Sequence, residues 1–474
     1  MTAGVGTRAA RAGRVKLVLT VVGALVGFGA NVALARLLGP DVFGAMAFAL
    51  VVVGLARTLS TVRSDAYVVY LPDEAEAQQA ARTLFGAELL LAALVGGTLA
   101  AAAGPLMAAL GRPDLVAVVR GLSVMVVLSP LTVLQARFVR NLDFVRGHGP
   151  ATAGTVVKAA TAVTLAAGGL GVWALVWGEV VSVAVVAALF LVLSGKGALP
   201  GFERRHLAGA LRYGLPLTGT ALLAFYYWNV DDYMVGRILT LEALGLYWLA
   251  FRLPHQLMQV SGLASSVAFP AFARAWNTDA IAPAFVRLTR ATAWLMLLPL
   301  LVSTLFGAEL IEAVYGARWL GATLPFQLFM ALVCIRAIFN YWADVYQAAG
   351  RTAPLLGLTA VNAVLITVLG IPLVTRYGVV GMAVAVLLTI STTVFVGTRY
   401  LKRLLDVRYA DALMRPVAAL ALCLGVGGLL KGVVAGPLGE AALAVGMVAA
   451  WGGLAWALDR TELTAAWAYV RGAA

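Results

Sequence analysis

Charged side chains are scarce. Asp, Glu, Lys and Arg together make up 12% of the 474 residues, against about 25% in an ordinary soluble domain. That shortage excludes a soluble globular chain. Apolar runs continue from one end to the other, so a soluble domain with a single membrane anchor is excluded as well. Cysteine is scarcer still. Cys334 and Cys423 both sit inside apolar runs; they read as small hydrophobes and offer no disulfide framework or zinc-ligand spacing. With only three histidines, no metal site is expected. His-Glu-x-x-His and Gly-x-Ser-x-Gly are absent. The only Gly-Lys pair, Gly195–Lys196, continues into Gly197, so the chain has no phosphate-binding loop of its own. Long external loops are also missing. The external acids Asp41, Asp114, Glu242, Glu309, Glu312 and Glu440 lie on short links, which argues against a membrane glycosyl transferase or polymerase and against an enzyme generally.

What is present is apolar. Hydrophobic residues make up 62% of the chain and the mean hydropathy is +0.93, as in an integral membrane protein. A membrane span needs about 20 predominantly apolar residues. Fourteen such stretches are expected, near 17–35, 43–63, 84–110, 116–136, 149–169, 172–194, 212–236, 243–267, 286–307, 323–346, 355–375, 379–400, 413–431 and 440–458. The first follows Arg8, Arg11, Arg14 and Lys16 with no small-residue cleavage site or soluble domain behind it, and reads as a retained helix. Of the 35 Lys and Arg residues, 25 fall on one side of these spans, six on the other, and four (Arg120, Lys158, Arg252 and Arg336) inside them. Basic residues favour the cytoplasmic side, so both termini are expected there. The same bias accounts for the net charge of +13 without a nucleic-acid partner.

The chain carries an internal repeat. Arg36 to Ala49 reads RLLGPDVFGAMAFA and Arg237 to Ala250 reads RILTLEALGLYWLA. A shift of 201 positions aligns Arg36 with Arg237, Asp41 with Glu242, Gly44 with Gly245 and Ala49 with Ala250. A weaker echo links GLGVWALVWG (Gly169–Gly178) with YGVVGMAVAV (Tyr377–Val386). The fold class expected is an all-α polytopic membrane protein with two pseudo-symmetric six-helix lobes, residues 1–200 and 201–405. Two further helices and a tail cover 406–474. The basic link Gly195–Leu211 is the expected hinge. Six spans per lobe give both lobes the same orientation, with a site between them.

The ionisable residues inside spans are the candidates for function, because such groups usually face a cavity or a partner. Arg252 lies about nine residues into the eighth span and so near mid-membrane. Arg252, Gln256, Gln259 and Ser266 approximate one stripe, with His255 beside it and Pro254 expected to disturb the helix. Arg57, Lys158 and Arg336 are the other cationic candidates. A water-filled cavity lined by them suits a diphosphate head group, since Arg presents a planar fork to phosphate oxygens. Internal ion pairing, or snorkelling of Arg57 to the interface, is the structural alternative. The acids Asp232, Glu88, Glu179 and Asp344 could couple transport to a proton or sodium gradient, or could simply neutralise a neighbouring Arg. Gly44 and Gly245 are small residues just past an external turn, where lobes could approach closely. The aromatic group Phe225, Tyr226, Tyr227, Trp228, Tyr233, Tyr247 and Trp248 fits an interfacial belt or a surface for stacking on sugar rings.

At these residues the sequence resembles the Wzx-type polysaccharide and oligosaccharide flippases of the MOP superfamily. ALARLLGPDVFGAMAFAL (Ala33–Leu50) is similar to that family's opening signature, and NVDDYMVGRILTLEALGLYWLAFRL (Asn229–Leu253) to its second-lobe counterpart. QARFVRNLDFVR (Gln135–Arg146) and GLGVWALVWG resemble its fourth-to-sixth-span region, whereas the last two spans carry no family signal. The resemblance implies two lobes around a cavity that opens alternately to either side. It implies no cofactor, and an undecaprenyl-diphosphate-linked oligosaccharide moved to the outer leaflet of a bacterial inner membrane. A polysaccharide polymerase and glycosyltransferases would be the neighbouring partners. A lipid II flippase or small-molecule exporter of the same superfamily is the alternative within transporters. A drug exporter would favour acids in the cavity, and Lys158, Arg252 and Arg336 argue against it. A glycosyl polymerase or ligase, or a non-transporting scaffold, fits the short loops and the mid-span charges less well.

Overall fold

Proline and glycine set where the helices begin and bend. In the computed structural model, residues 2–141, 143–195, 200–276, 278–351, 353–434 and 436–470 are described; they are almost wholly helical and contain no strand. Packing divides the chain into two compact units, Met1–Gly245 and Leu246–Ala474.

The first unit opens with α1 (Thr2–Leu37), which stops before the Gly39–Pro40 pair. Pro40 is the first residue of α2 (Pro40–Leu59), where its missing N–H costs nothing, and Asp41 sits in the first turn against the positive end of the helix. The chain then breaks. Arg63 adopts a left-handed conformation (φ 50°) before the short α3 (Ser64–Tyr70), and the Val62 amide in the break donates to the Glu88 carboxylate at 3.0 Å. The next helix, α4 (Glu74–Ala109), is capped by Asp73, which accepts from the Glu76 amide. The expected fourth span is three short helices, α5 (Val116–Leu122), α6 (Val124–Val127) and α7 (Leu131–Arg140). Ser123 and Ser129 turn their hydroxyls back onto the Arg120 and Val126 carbonyls, Pro130 lacks an amide, and the helix is interrupted at these positions. Next come α8 (Phe144–Ala167), α9 (Val172–Ser194) and α10 (Arg204–Ile238). Gly154 and Gly178 let α8 and α9 pack backbone to backbone, with Ser182 Oγ donating to the Gly154 carbonyl at 2.8 Å. Residues 196–199 of the expected hinge lie outside the described residues.

The unit boundary falls inside α11 (Leu241–Ala275). Thus α10, which opens the second half of the sequence repeat, packs against α2 in the first unit. The lobes drawn from the repeat describe sequence symmetry; the units describe packing. Pro254 and Pro270 both lie inside α11, which runs on as one helix through each. The second unit continues with α12 (Ile281–Tyr315), α13 (Thr323–Phe339), α14 (Tyr341–Ala348), α15 (Ala353–Leu401), α16 (Tyr409–Lys431) and α17 (Pro437–Val470). Two expected spans, 355–375 and 379–400, fall within α15 but are divided at Gly378 (φ 59°), a non-helical conformation that favours glycine and brings Gly381 back against the Leu373 carbonyl.

Nine helical stretches among the described residues are long and apolar enough to cross a membrane, fewer than the fourteen expected. The difference has three causes. One is that α15 holds two spans. Another is the breaking of the fourth span. The last is the polar residues inside α8, α10 and α11, such as Lys158, Asp232 and Arg252.

In the second unit, Asp459 ties three helices together. It kinks α17 (φ −140°, ψ 25°) and its side chain is fully buried. Arg290 of α12 lies 3.3 Å from its Oδ1, Arg415 of α16 lies 2.5 Å from the same atom, and Trp294 Nε1 donates to Oδ2 at 2.8 Å. Removing one partner of a buried charge cluster costs about 3–5 kcal/mol, with the low end applying here because Arg415 is half exposed. Asp459→Ala is therefore expected to lower the thermal midpoint of detergent-purified protein by several degrees. Asp459→Asn, which keeps an acceptor for Trp294, should fall between. An unchanged midpoint for Asp459→Ala would contradict this role.

Candidate functional site

The charged groups inside the helices form two sets, one in each unit. In the first, Lys158 of α8 and Glu179 of α9 form a direct ion pair. Arg57, exposed in the last turn of α2, lies within electrostatic reach of the same carboxylate. Two cations thus share one acid, and the group keeps a net positive charge. The Glu179 side chain is 15% exposed and Lys158 40%, so the cations hold the open side. On the face of α2 opposite Arg57, Leu55, Ala56 and Leu59 line a cavity of about 680 Å³ between α2, α4 and α10. Its other walls, including Leu99, Leu106 and Phe225, are almost entirely apolar.

Above this groove the backbones meet. A Cβ on Gly44 would fall 1.7 Å from the Leu241 carbonyl oxygen, and one on Gly245 would fall 1.8 Å from that of Pro40. The two glycines aligned by the repeat therefore face each other across one contact at the N-termini of α2 and α11. Arg112, on the link after α4, fastens the neighbouring turn. Its Nε donates to the Gly236 carbonyl at 2.8 Å, and its Nη2 to the Leu239 carbonyl. These are the uncapped carbonyls at the C-terminus of α10, where a cation is favoured. Sequence reading missed Arg112: its partners lie more than 120 positions away, and nothing near it in sequence announces them. Asp232 is half-buried on α10. Glu88 is buried and holds the Val62 amide, away from the Lys158–Glu179 pair.

In the second unit, Arg252 is half-buried with its guanidinium 3.6 Å from the centre of the Trp248 ring, one turn earlier on α11. Such a contact stabilises a cation where water is sparse. His255 feels the positive charge of both Arg252 and Arg336, so α11 and α13 bring these two cations toward one place. Gln256 follows on α11, half-buried, and the side chain of Gln259 lies outside the described residues. Asp344 of α14 is 5% exposed, and its Oδ2 has no hydrogen-bond partner among the described residues. Asn340 and Ser265, bonded to each other at 3.3 Å, belong to the same polar group. Among the described residues, no group of His, Cys, Asp and Glu could hold a metal ion.

This pattern of long apolar helices, a cationic interior and a repeated Arg–Gly turn has known counterparts. The model of the polysaccharide biosynthesis protein family matches residues 33–324. The chain belongs to that family. It is 26% identical over 295 residues to the succinoglycan biosynthesis transport protein ExoT of Rhizobium meliloti, covering 60% of this chain and 58% of that one. It is 24% identical over 327 residues to the lipopolysaccharide biosynthesis protein WzxC of Escherichia coli, covering 67% of this chain and 65% of that one. The match thus spans about three fifths of each relative's length. Among solved structures, the lipid II flippase MurJ in its inward closed conformation superposes with a TM-score of 0.75 at 14% identity, covering 93% of this chain and 98% of that one. At that identity the likeness is one of fold. The chain is therefore a multi-pass membrane protein with a MurJ-like helical fold.

The glycine contact allows no side chain. Gly44→Ala and Gly245→Ala each force a Cβ into a backbone carbonyl, and overpacking of this kind costs about 1–3 kcal/mol. Each variant should unfold at a lower temperature than the parent, and the control Gly29→Ala, where a Cβ meets nothing within 4 Å, should not. Equal midpoints for all three would show that the backbones do not meet.

Proposed function

We propose that this chain is an alternating-access flippase. It carries undecaprenyl-diphosphate-linked oligosaccharide units from the cytoplasmic to the outer leaflet of a bacterial inner membrane, for exopolysaccharide, capsule or O-antigen biosynthesis. The observation that carries this reading is that α2 has an apolar cavity of about 680 Å³ along one face and, on its opposite face, Arg57 of the cationic Arg57–Glu179–Lys158 group. A polyprenyl diphosphate needs both features, an apolar surface for its chain and cations for its phosphates. Family membership and the likeness to the succinoglycan transport protein ExoT support the polysaccharide pathway, and the lipid II flippase MurJ shares the fold. Cytoplasmic termini, as the Lys and Arg bias requires, belong to the same proposal.

In this reading Arg252 and Arg336 are the cations of the second unit, with the Trp248 ring beside Arg252. Gln256 and Gln259 lie further along the same helix. Coupling to a proton or sodium gradient rests best on Asp344, a buried carboxyl with one oxygen unpaired among the described residues, with Asp232 as the second candidate. Glu179 and Glu88 already hold a cation and an amide. No cofactor is called for.

Arg252 is the direct test. Replacing a guanidinium that binds phosphate removes charge-assisted hydrogen bonds and should lower export by about tenfold or more. Arg252→Ala is expected to show that loss of polysaccharide export in a complementation assay at normal membrane protein levels. Arg252→Lys should recover only part, since a point charge replaces a planar fork. Full export by Arg252→Ala at normal levels would remove Arg252 from the mechanism, and a fall in protein level matching the fall in export would make its role structural.

A further inference from the structure

A second cavity, of about 530 Å³, opens between α3, α7 and α10, within the first unit. It lies at the Lys- and Arg-rich end of the helices, where Arg63 pairs with Asp65 and Arg140 binds the end of α3. Its walls differ from those of the lipid-like groove. Asp65, Val69 and Tyr70 come from α3, Gln135 and Val139 from α7, and Tyr213 from α10.

The two tyrosines form a ledge. Their ring centres are 5.0 Å apart and their planes within 25°; Tyr70 is 65% exposed. The ledge is held from behind. The Tyr67 ring lies 6.0 Å from Tyr213. A Cβ on Gly209 would fall 2.4 Å from the Tyr67 hydroxyl, so α3 seats directly on the α10 backbone. Arg140 of α7 clamps the end of α3, donating to the Leu71 carbonyl and, at 2.9 Å, to that of Pro72. At the polar edge, Gln135 Nε2 donates to the Gly147 carbonyl at 2.8 Å, which fixes the plane of its amide. Asp65 is steadied by Arg63 at 3.5 Å.

These walls select among ligands. An acyl or polyprenyl chain would cover the Asp65 carboxylate and the Gln135 Oε1 without offering either a donor, which is unfavourable. A phosphate would meet the Asp65 carboxylate in the lining, and the nearest cation tied to it, Arg63, is already paired with that acid. A pyranose ring has what the site asks for. Its C–H face lies flat on an aromatic ledge, and its hydroxyls donate to the carboxylate and amide at the edge. A cavity of several hundred Å³ takes one or two such rings.

We infer that the Tyr70–Tyr213 ledge is a sugar-ring subsite that receives the glycan part of the substrate at the mouth where it is loaded. The inference rests on the flippase reading: the diphosphate is held by the cations deeper in the helices while the glycan is held here. The site then selects for a glycan-bearing lipid over the bare carrier.

The experiment compares two probes on the full chain in lipid nanodiscs: undecaprenyl diphosphate, and the lipid-linked repeat unit isolated from a host strain lacking the transporter. Wild type should bind the repeat unit about three- to tenfold more tightly than the bare carrier, the range expected of one aromatic stacking contact. Tyr70→Ala, Tyr213→Ala and Val69→Arg, which fills the cavity without touching the stack, should each bind both lipids equally. Tyr70→Phe and Tyr213→Phe should keep most of the preference. The oligosaccharide released from the lipid should compete with the repeat unit on wild type and not on the Ala variants. Wild type binding both lipids equally, or Ala and Arg variants that keep the preference, overturns the subsite and leaves the flippase reading standing. Wild type binding neither lipid overturns that reading and the subsite with it.

Discussion

An ionised side chain inside a bilayer costs roughly 2.5–3.5 kcal/mol on insertion scales, and the chain meets that cost in a few recognisable ways. Some charges are neutralised internally. Lys158 faces Glu179, Lys431 faces Glu309, and Asp459 takes Arg290 and Arg415 together. Others are satisfied by backbone: Glu88 takes the Val62 amide, and Arg112 holds the last carbonyls of α10. Arg57 stands at the exposed side of a shared acid, and Arg252 lies over an aromatic face. The groups that are fully paired stitch helices together.

The second constraint is how closely backbones approach. In a membrane, helices gain little from burying apolar surface against each other, so close packing through small residues carries more of the stability. Gly154 and Gly178 serve α8 and α9 in this way. Gly44 and Gly245 do so across the repeat, bringing the start of α2 against the start of α11. The two copies of one sequence motif therefore contact each other, and each copy's glycine admits the other's backbone. Arg112 adds a polar tie beside that contact. Together they fasten one end of the first unit, while the cationic group and the aromatic ledge lie further along the same helices.

Much of this was legible in the sequence. Hydropathy located the helices, because a span reads as a long apolar run whatever its partners. The repeat at Arg36 and Arg237 located the glycine contact. The mid-span charges were visible as exceptions, although spacing alone did not say that Lys158 and Glu179 would pair. The failures have a common cause. Arg112 meets Gly236, and Arg290 meets Asp459, at separations of 124 and 169 residues, where local pattern carries no information. The broken fourth span was misread because Ser123, Ser129 and Pro130 are tolerated in membrane helices generally, and only the surrounding packing decides whether they bend one or break it. The Tyr70–Tyr213 ledge escaped because α3 is too short to show a period, and its stacking partner sits on another helix.

The central claim is that the protein itself moves a glycan-bearing polyprenyl lipid between leaflets. The most direct measurement reconstitutes the purified chain into sealed proteoliposomes whose lipid-linked repeat units start on one leaflet, and follows their exposure to a glycan-oxidising reagent that cannot cross the membrane. The account predicts that the lipid appears on the opposite leaflet in proportion to the protein present, with little movement in protein-free vesicles. Equal rates with and without the protein, across a range of imposed proton and sodium gradients, would contradict it.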